Sequence, residues 1–304
     1  MKPFSAFAAP GEWFRGNCHT HTTLSDGSED PATTAGLYRK KGYDFLVLTD
    51  HYEVCEDVKS LSAEDFVVIR GVEMHPPAQS GGFAHHFIAL GVKEKPPKRC
   101  LKTAASAIRW GKKQGALVFY CHPYWTGHAR SHLEEGREAL GVEVYNATCD
   151  VHRGLGYSEV HWDHVLSEGW RWRALAVDDT HNYRADGFTG WIMVKAKRLH
   201  PRSILSAIKK GRFYATQGPE IHDLSMRNGA IDLKCSPVQD VVWHGNGPCG
   251  SRATAEPGKL IEHARFEPKN PQATYFRLMI RDAKGRKAWS NPIWRNPKTG
   301  RWEE

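Results

Sequence analysis

Histidines and acids recur along this chain in short, spaced groups. His19 and His21 flank Thr20, and Ser25-Asp26-Gly27 follows closely. Further on come Asp50-His51, Gly71-Val72-Glu73, His85-His86, Cys121-His122-Pro123 and Asp178-Asp179-Thr180-His181. Imidazole nitrogen and carboxylate oxygen are the donors that divalent zinc, manganese or iron take up. In extended backbone, residues two apart share a face, so His19 and His21 can reach one ion, as can Asp179 and His181. Singly, each group is an ordinary turn or strand-end residue. Together they point to cations shared by one site and to water activated for hydrolysis.

The elements that must position these groups are short apolar runs. Tyr43 to Thr49, Phe66 to Ile69, Phe87 to Val92, Ala116 to Tyr120, Gly141 to Tyr145 and Ala174 to Val177 each have strand length, and the chemical groups stand at their ends. Between them lie helical stretches. Pro31 to Lys41 carries Asp30 as N-cap, Cys100 to Gln114 stops at Gly115, and Ser158 to Gly169 and Pro201 to Lys210 complete the set. Strands alternating with helices predict an α/β fold with a mostly parallel sheet and a site at the strand C-termini, whether the sheet closes into a barrel or stays open. No Gly-x-Gly-x-x-Gly follows the first strand, which argues against a dinucleotide fold. After Gly218 the pattern changes to strands joined by turns, with Tyr275 to Arg281 pairing with Lys287 to Trp294 through Asp282-Ala283-Lys284-Gly285. Two domains are expected, residues 1–217 and a small all-β extension at 218–304.

Composition narrows the class. The 304 residues carry 40% hydrophobic and 25% charged side chains, enough for a core without staples. Seven cysteines with no Cys-x-x-Cys pair exclude a disulfide framework and fit a reducing, cytoplasmic setting. Cys18 and Cys121 adjoin site histidines, but neighbouring strand residues face opposite ways, which assigns both to the wall. The N-terminus lacks the apolar stretch of a signal peptide, and no run is long enough to span a bilayer. The net charge of +8 suits an anionic small-molecule substrate; no basic run or zinc-finger pattern argues for nucleic acid. Oligomeric state is left open. Of 11 tryptophans, Trp110, Trp162, Trp170 and Trp172 read as packing, whereas Trp125 stands where it could line the pocket mouth. His128, His132, His152, His161 and His164 match no motif and read as surface or supporting groups.

The order His-Thr-His-x-x-x-Ser-Asp-Gly, Thr-Asp-His, Gly-Val-Glu, a histidine before Phe-Ile-Ala-Leu-Gly, Cys-His-Pro and Asp-x-His resembles the PHP family, named for polymerase and histidinol phosphatase domains. The likeness spans residues 15 to 217. The tail, with Arg281 to Gly285 and Ala288 to Trp294, resembles the extension of the CehA/McbA-type metallohydrolases. The resemblance implies a distorted (β/α)7 barrel, TIM-like, holding two or three divalent ions. It implies that His19, His21, Glu73 and Asp179 hold one ion; that Glu73 bridges to a second, with His86 and His122; and that Asp26, His51 and His181 hold a third. His85 competes with His86, and Asp178 with Asp179. Glu73, His51 and His181 are the catalytic candidates, and Arg153 and Arg184 the candidates for gripping a phosphate. The implied activity is phosphoester hydrolysis. Hydrolysis of a carbamate, ester or amide is the first alternative, and a non-catalytic metal-binding module the second.

Overall fold

The computed structural model describes residues 2–3, 5–227 and 229–303. Seven strands lie side by side in chain order: Glu12–Asn17, Phe45–Leu48, Val67–Met74, Phe87–Leu90, Leu117–Tyr120, Gly141–Asn146 and Arg173–Val177. All run parallel except Phe87–Leu90, which is antiparallel to both neighbours. Four of these strands are buried at every position, because a parallel sheet covered on both faces leaves no polar side to alternate. Helices Pro31–Lys40, Ala104–Gln114 and Glu159–Ser167 connect the strands. Asp30 caps the first of these by accepting from the backbone N–H of Ala32 and Thr33. Gly115 ends the second in the left-handed conformation, φ 81°. Two short helices, Arg130–Glu135 and Ala147–Arg153, escape the sequence reading because each has under two turns of periodicity.

The expected barrel is not closed by the sheet. Glu12–Asn17 pairs on one edge with Phe45–Leu48 and on the other with the antiparallel strand Trp191–Ala196, so no edge remains for Arg173–Val177. The first and last of the seven meet only past their C-terminal ends. There Thr20 and Thr180 form a single parallel bridge, flanked by Asp179 N–H donating to His19 O (2.9 Å) and His21 N–H to Thr180 O (3.1 Å). The ring therefore joins only at the end that carries the histidines.

Beyond Trp191–Ala196 the same sheet continues antiparallel through Phe213–Thr216, Lys287–Ser290, Tyr275–Arg281, Asp240–Gly245 and Gly250–Thr254. The main sheet thus continues across position 217 into the tail. A second sheet orders Lys2–Pro3, Ile221–Arg227, Ala230–Val238 and Ile261–Phe266. Among the described residues after 218 there is no helix. The tail is clamped to helix Glu159–Ser167 by polar contacts. The fully buried Arg277 grips Asp163 with two bonds of 2.6 Å, while Lys287 Nζ (2.7 Å) and Trp289 Nε1 (2.8 Å) both donate to Glu159. Among the described residues no helix is long and apolar enough to cross a membrane.

Candidate metal centre

The parallel strands bring their C-termini to one end, and the loops leaving them supply the acids and imidazoles. His86 precedes its strand instead of following one. Because Phe87–Leu90 runs backwards, its N-terminal end lies with the other strands' C-terminal ends, so His86 arrives at the same place. Backbone strain re-aims three residues here. Tyr52, His122 and Asp179 have positive φ values of 60°, 27° and 55°, conformations that non-glycine residues rarely hold without a surrounding structure that dictates them. Gly27 permits a close turn: a Cβ there would stand 2.4 Å from His21 O. That turn folds Asp26 under the histidines. Asp50 fixes it by accepting from the Thr22 N–H (2.7 Å) and the Ser25 hydroxyl (2.8 Å).

Among the groups of converging donors that result, each within 4.8 Å across, three hold the residues expected from the sequence. His19, His21, Glu73 and Asp179 form the deepest and are all buried. Asp179 Oδ1 lies 3.1 Å from His19 Nε2 and 3.0 Å from His21 Nε2, and Glu73 Oε2 lies 3.2 and 3.3 Å from the same two nitrogens. Glu73 turns its other oxygen to His86 Nδ1 (2.8 Å) and His122 Nε2 (3.7 Å), the second group. In the third, Asp26 Oδ2 stands 3.3 Å from His51 Nε2 and 3.4 Å from His181 Nε2. His21 belongs to this group as well, with Nδ1 3.6 Å from Asp26 Oδ1. The groups thus share Glu73 and His21.

Residues behind this cluster set which ring nitrogen faces it. His19 Nδ1 donates to Glu143 Oε1 at 2.6 Å, and His181 Nδ1 to Asp179 O at 2.8 Å, so in the neutral ring Nε2 of each carries the lone pair toward the centre. Glu143 is itself held by the His122 N–H and Asn146 Nδ2, both at 3.0 Å, and Asn146 Nδ2 also donates to Asp179 Oδ2 (3.0 Å). Sequence reading missed Glu143. The available signal was an acid inside the apolar run Gly-Val-Glu-Val-Tyr, where a buried charge must have a partner. It also missed His75, whose Nε2 lies 3.2 Å from Glu73 Oε1 and whose ring stacks on His86 at 3.6 Å. Glu73-Met74-His75 has the same two-residue spacing as the other pairs.

Both sequence ambiguities have geometric answers. Asp178 points away from the cluster: it accepts from the backbone N–H of Phe188, Thr189 and Gly190 and from the Tyr38 hydroxyl. His85 also turns away, bonded to the Tyr120 hydroxyl (2.7 Å) and Glu135 (2.8 Å). Of each adjacent pair, only Asp179 and His86 reach the cluster. Cys18 and Cys121 are buried, and burial pushes both thiols upward, which keeps them protonated. The Cys121 thiol lies beside His19 and Glu143, so it is close to the first group but behind it. Arg153 lines the cavity above the cluster; Arg184 is exposed and does not line it.

Charge is the dominant property of this site. Burial disfavours protonated His19, yet Asp179, Glu143 and Glu73 outweigh it and hold its pKa well above the ordinary value. Burial acts against His21 too, and the bonds to Asp179 and Glu73 lift it to about 9. The acids respond in kind: despite burial, neighbouring histidines depress Glu73 and Asp179. Three carboxylates, Asp26, Glu73 and Asp179, thus demand positive charge at a spot lined by imidazole nitrogens. The donor set is imidazole and carboxylate; His122 Nδ1 is buried without a hydrogen-bond partner among the described residues, and His51 Nδ1 stands 3.0 Å from Glu73 Oε2. This chemistry fits zinc, manganese or iron. The cluster floors a cavity of about 370 Å³, walled by Trp125 on one side and by Thr148, His152 and Arg153 on another. A larger cleft of about 1130 Å³, lined by Arg171, Lys210 and Trp302, lies elsewhere and holds none of these groups.

No family model matches the sequence, and no curated protein matches it. Solved structures do. An amidohydrolase from Chromobacterium violaceum, solved with bound sulfate and no metal, aligns with a TM-score of 0.44 and 15% identity over 65% of this chain and 96% of that one. Nearly the whole chain is similar in fold to a two-domain protein from Bacteroides vulgatus that contains a predicted PHP-like metal-dependent phosphoesterase, with a TM-score of 0.52 and 16% identity over 91% of this chain and 94% of that one.

Proposed function

We propose that this protein is a PHP-type, metal-dependent phosphoesterase that hydrolyses a small phosphate mono- or diester. The observation that carries the reading is Glu73: one buried carboxylate faces two groups of imidazoles through its two oxygens. That is the arrangement a bridging ligand needs. Two or three divalent ions would be held by His19, His21, Glu73 and Asp179, by Glu73, His86 and His122, and by Asp26, His51 and His181. When bound, such ions supply Lewis acidity and activate water near neutral pH.

The chain's own groups do the rest. Glu143 and Asn146 fix His19 and Asp179, so the inner donors need no rearrangement to receive a cation. Arg153, at the C-terminal end of its helix, places a guanidinium on the cavity wall, where it pairs with phosphoryl oxygens. Where only two ions are held, His51 or His181, both lining the cavity and then uncommitted to metal, can carry a proton to the departing oxygen. The positive net charge supports an anionic substrate.

The CehA/McbA-like tail sequence favours a second reading, in which the same centre hydrolyses a carbamate, ester or amide. The test is metal analysis of the purified protein, followed by assay of stripped and reconstituted enzyme on phosphate esters and on a 1-naphthyl carbamate. Phosphate-ester turnover that disappears on chelation, returns with metal and is competitively inhibited by inorganic phosphate is the expected result. Full turnover after exhaustive chelation, or turnover of the carbamate alone, overturns the phosphoesterase reading. Metal binding with no turnover of either class would leave a non-catalytic module, and Glu73→Gln would then have no activity to lose.

A further inference from the structure

Exposed apolar surface is not spread evenly over this molecule. Of eight large hydrophobic side chains exposed among the described residues, Leu24, Tyr52, Phe83, Tyr124, Trp125 and Val151 stand in segments that leave the C-terminal ends of the parallel strands. The end of the fold that holds the most charge in its floor thus carries the most apolar surface at its rim. Apolar surface gathered around a polar centre marks a binding mouth.

Within that rim Trp125 alone reaches the cavity wall. The residue is 41% exposed. It stands edge-to-face with His122, with centroids 5.0 Å apart at 84°, and with His86 at 5.9 Å and 66°. The indole is thereby set beside two of the inner imidazoles, and it is held there by a rigid turn. Trp125 N–H donates to His122 O (3.0 Å), the Thr126 hydroxyl donates to Pro123 O (3.1 Å), and Gly127 closes the turn at φ 69°. A flat apolar surface at fixed distance from a charged floor selects a ligand with the same two parts. The cavity of about 370 Å³ lies at the small end of the usual range for ligand sites, which suits one ring system with a charged head.

We propose that the substrate is an ester of a planar, apolar alcohol such as a phenol, and that Trp125 determines this specificity by stacking against the ring of the leaving group. The inference rests on the hydrolase reading. In the reaction, water oxygen bonds to phosphorus, the bond from phosphorus to the aryl oxygen breaks, and a proton from water ends on that oxygen. The products are the phenol and inorganic phosphate.

The test uses the full-length, metal-loaded enzyme and its Trp125→Ala and Trp125→Phe variants. Turnover of phenyl phosphate is compared with that of methyl phosphate, and binding of phenylphosphonate with that of methylphosphonate by calorimetry. In Trp125→Ala, KM for phenyl phosphate and Kd for phenylphosphonate should rise roughly tenfold, the scale of one aromatic contact with its buried area. Losses on the methyl compounds should be much smaller than on the phenyl ones, metal content should hold, and Trp125→Phe should keep most of the preference. Equal losses on phenyl and methyl compounds, or loss of metal, would overturn the proposal by making Trp125 a mere support for His122. Phenylphosphonate binding indifferent to Trp125 in an enzyme that still turns over esters defeats the proposal and spares the hydrolase reading. Trp125-dependent binding without turnover of any ester does the reverse.

Discussion

Glu143 offers the sharpest test of the idea that the chain is built around cations. It touches none of the cavity, yet its two oxygens accept from His19 Nδ1 (2.6 Å), the His122 N–H (3.0 Å) and Asn146 Nδ2 (3.0 Å). Glu143→Gln keeps the shape and removes the charge. The new amide must point its NH2 group at one of those donors, which leaves a buried donor unsatisfied and costs about 1–3 kcal/mol of folding stability. Separately, His19 loses the anion that orients it and makes its Nε2 more basic. Loss of such a partner typically weakens metal binding about 10–100-fold, or ~1.4–2.8 kcal/mol. The two effects are separable. Thermal unfolding of the stripped protein reads the first. Competition with a fluorescent chelator at neutral pH reads the second, as does the smaller stabilisation on adding metal. A variant that folds, shows the stability loss and binds metal as tightly as the native protein would refute the claim that Glu143 serves a cation, and would leave it a purely structural acid.

Two further outcomes follow from the same geometry. Metal binding should release protons and strengthen as pH rises: His21 is held at about 9 by Asp179 and Glu73 against burial, so a cation must displace its proton at neutral pH. By the same linkage, protonated His21 stabilises the metal-free fold fully below its ordinary value near 6.5, and that contribution is lost as pH climbs through about 9. Calorimetry in buffers of different ionisation enthalpy checks both, and metal affinity flat across that window would contradict them. At the tail, Asp163→Ala should destabilise by about 3 kcal/mol, because it leaves the fully buried Arg277 with only the more distant Glu159, 3.9 Å away, whereas Arg277→Met should cost less, because Asp163 is partly exposed and can be hydrated. Urea midpoints that reverse this order would show that the tail does not depend on this contact.

Much of the centre was legible in the sequence because its donors obey local rules. A two-residue spacing puts His19 with His21 on one side of extended backbone, and apolar runs ending in acids place the other groups at strand termini. The helices that were found had caps written into them, as at Asp30 and Gly115. Other features depend on chain segments that are distant in sequence. The reversal of Phe87–Leu90, which carries His86 to the common end, follows from which strands pair, not from the strand itself. The open barrel has the same origin: Trp191–Ala196 takes the edge of Glu12–Asn17 that closure would need. Glu143 gains its role only from His19, 124 positions away, and His75 is placed by stacking on His86 from the next strand. Residue type and spacing thus determined which groups could bind a cation, since those are properties of adjacent backbone. Only the tertiary structure decided which of them converge, which face away, and what stands behind them, since strand order and direction are settled by the packing of the whole sheet.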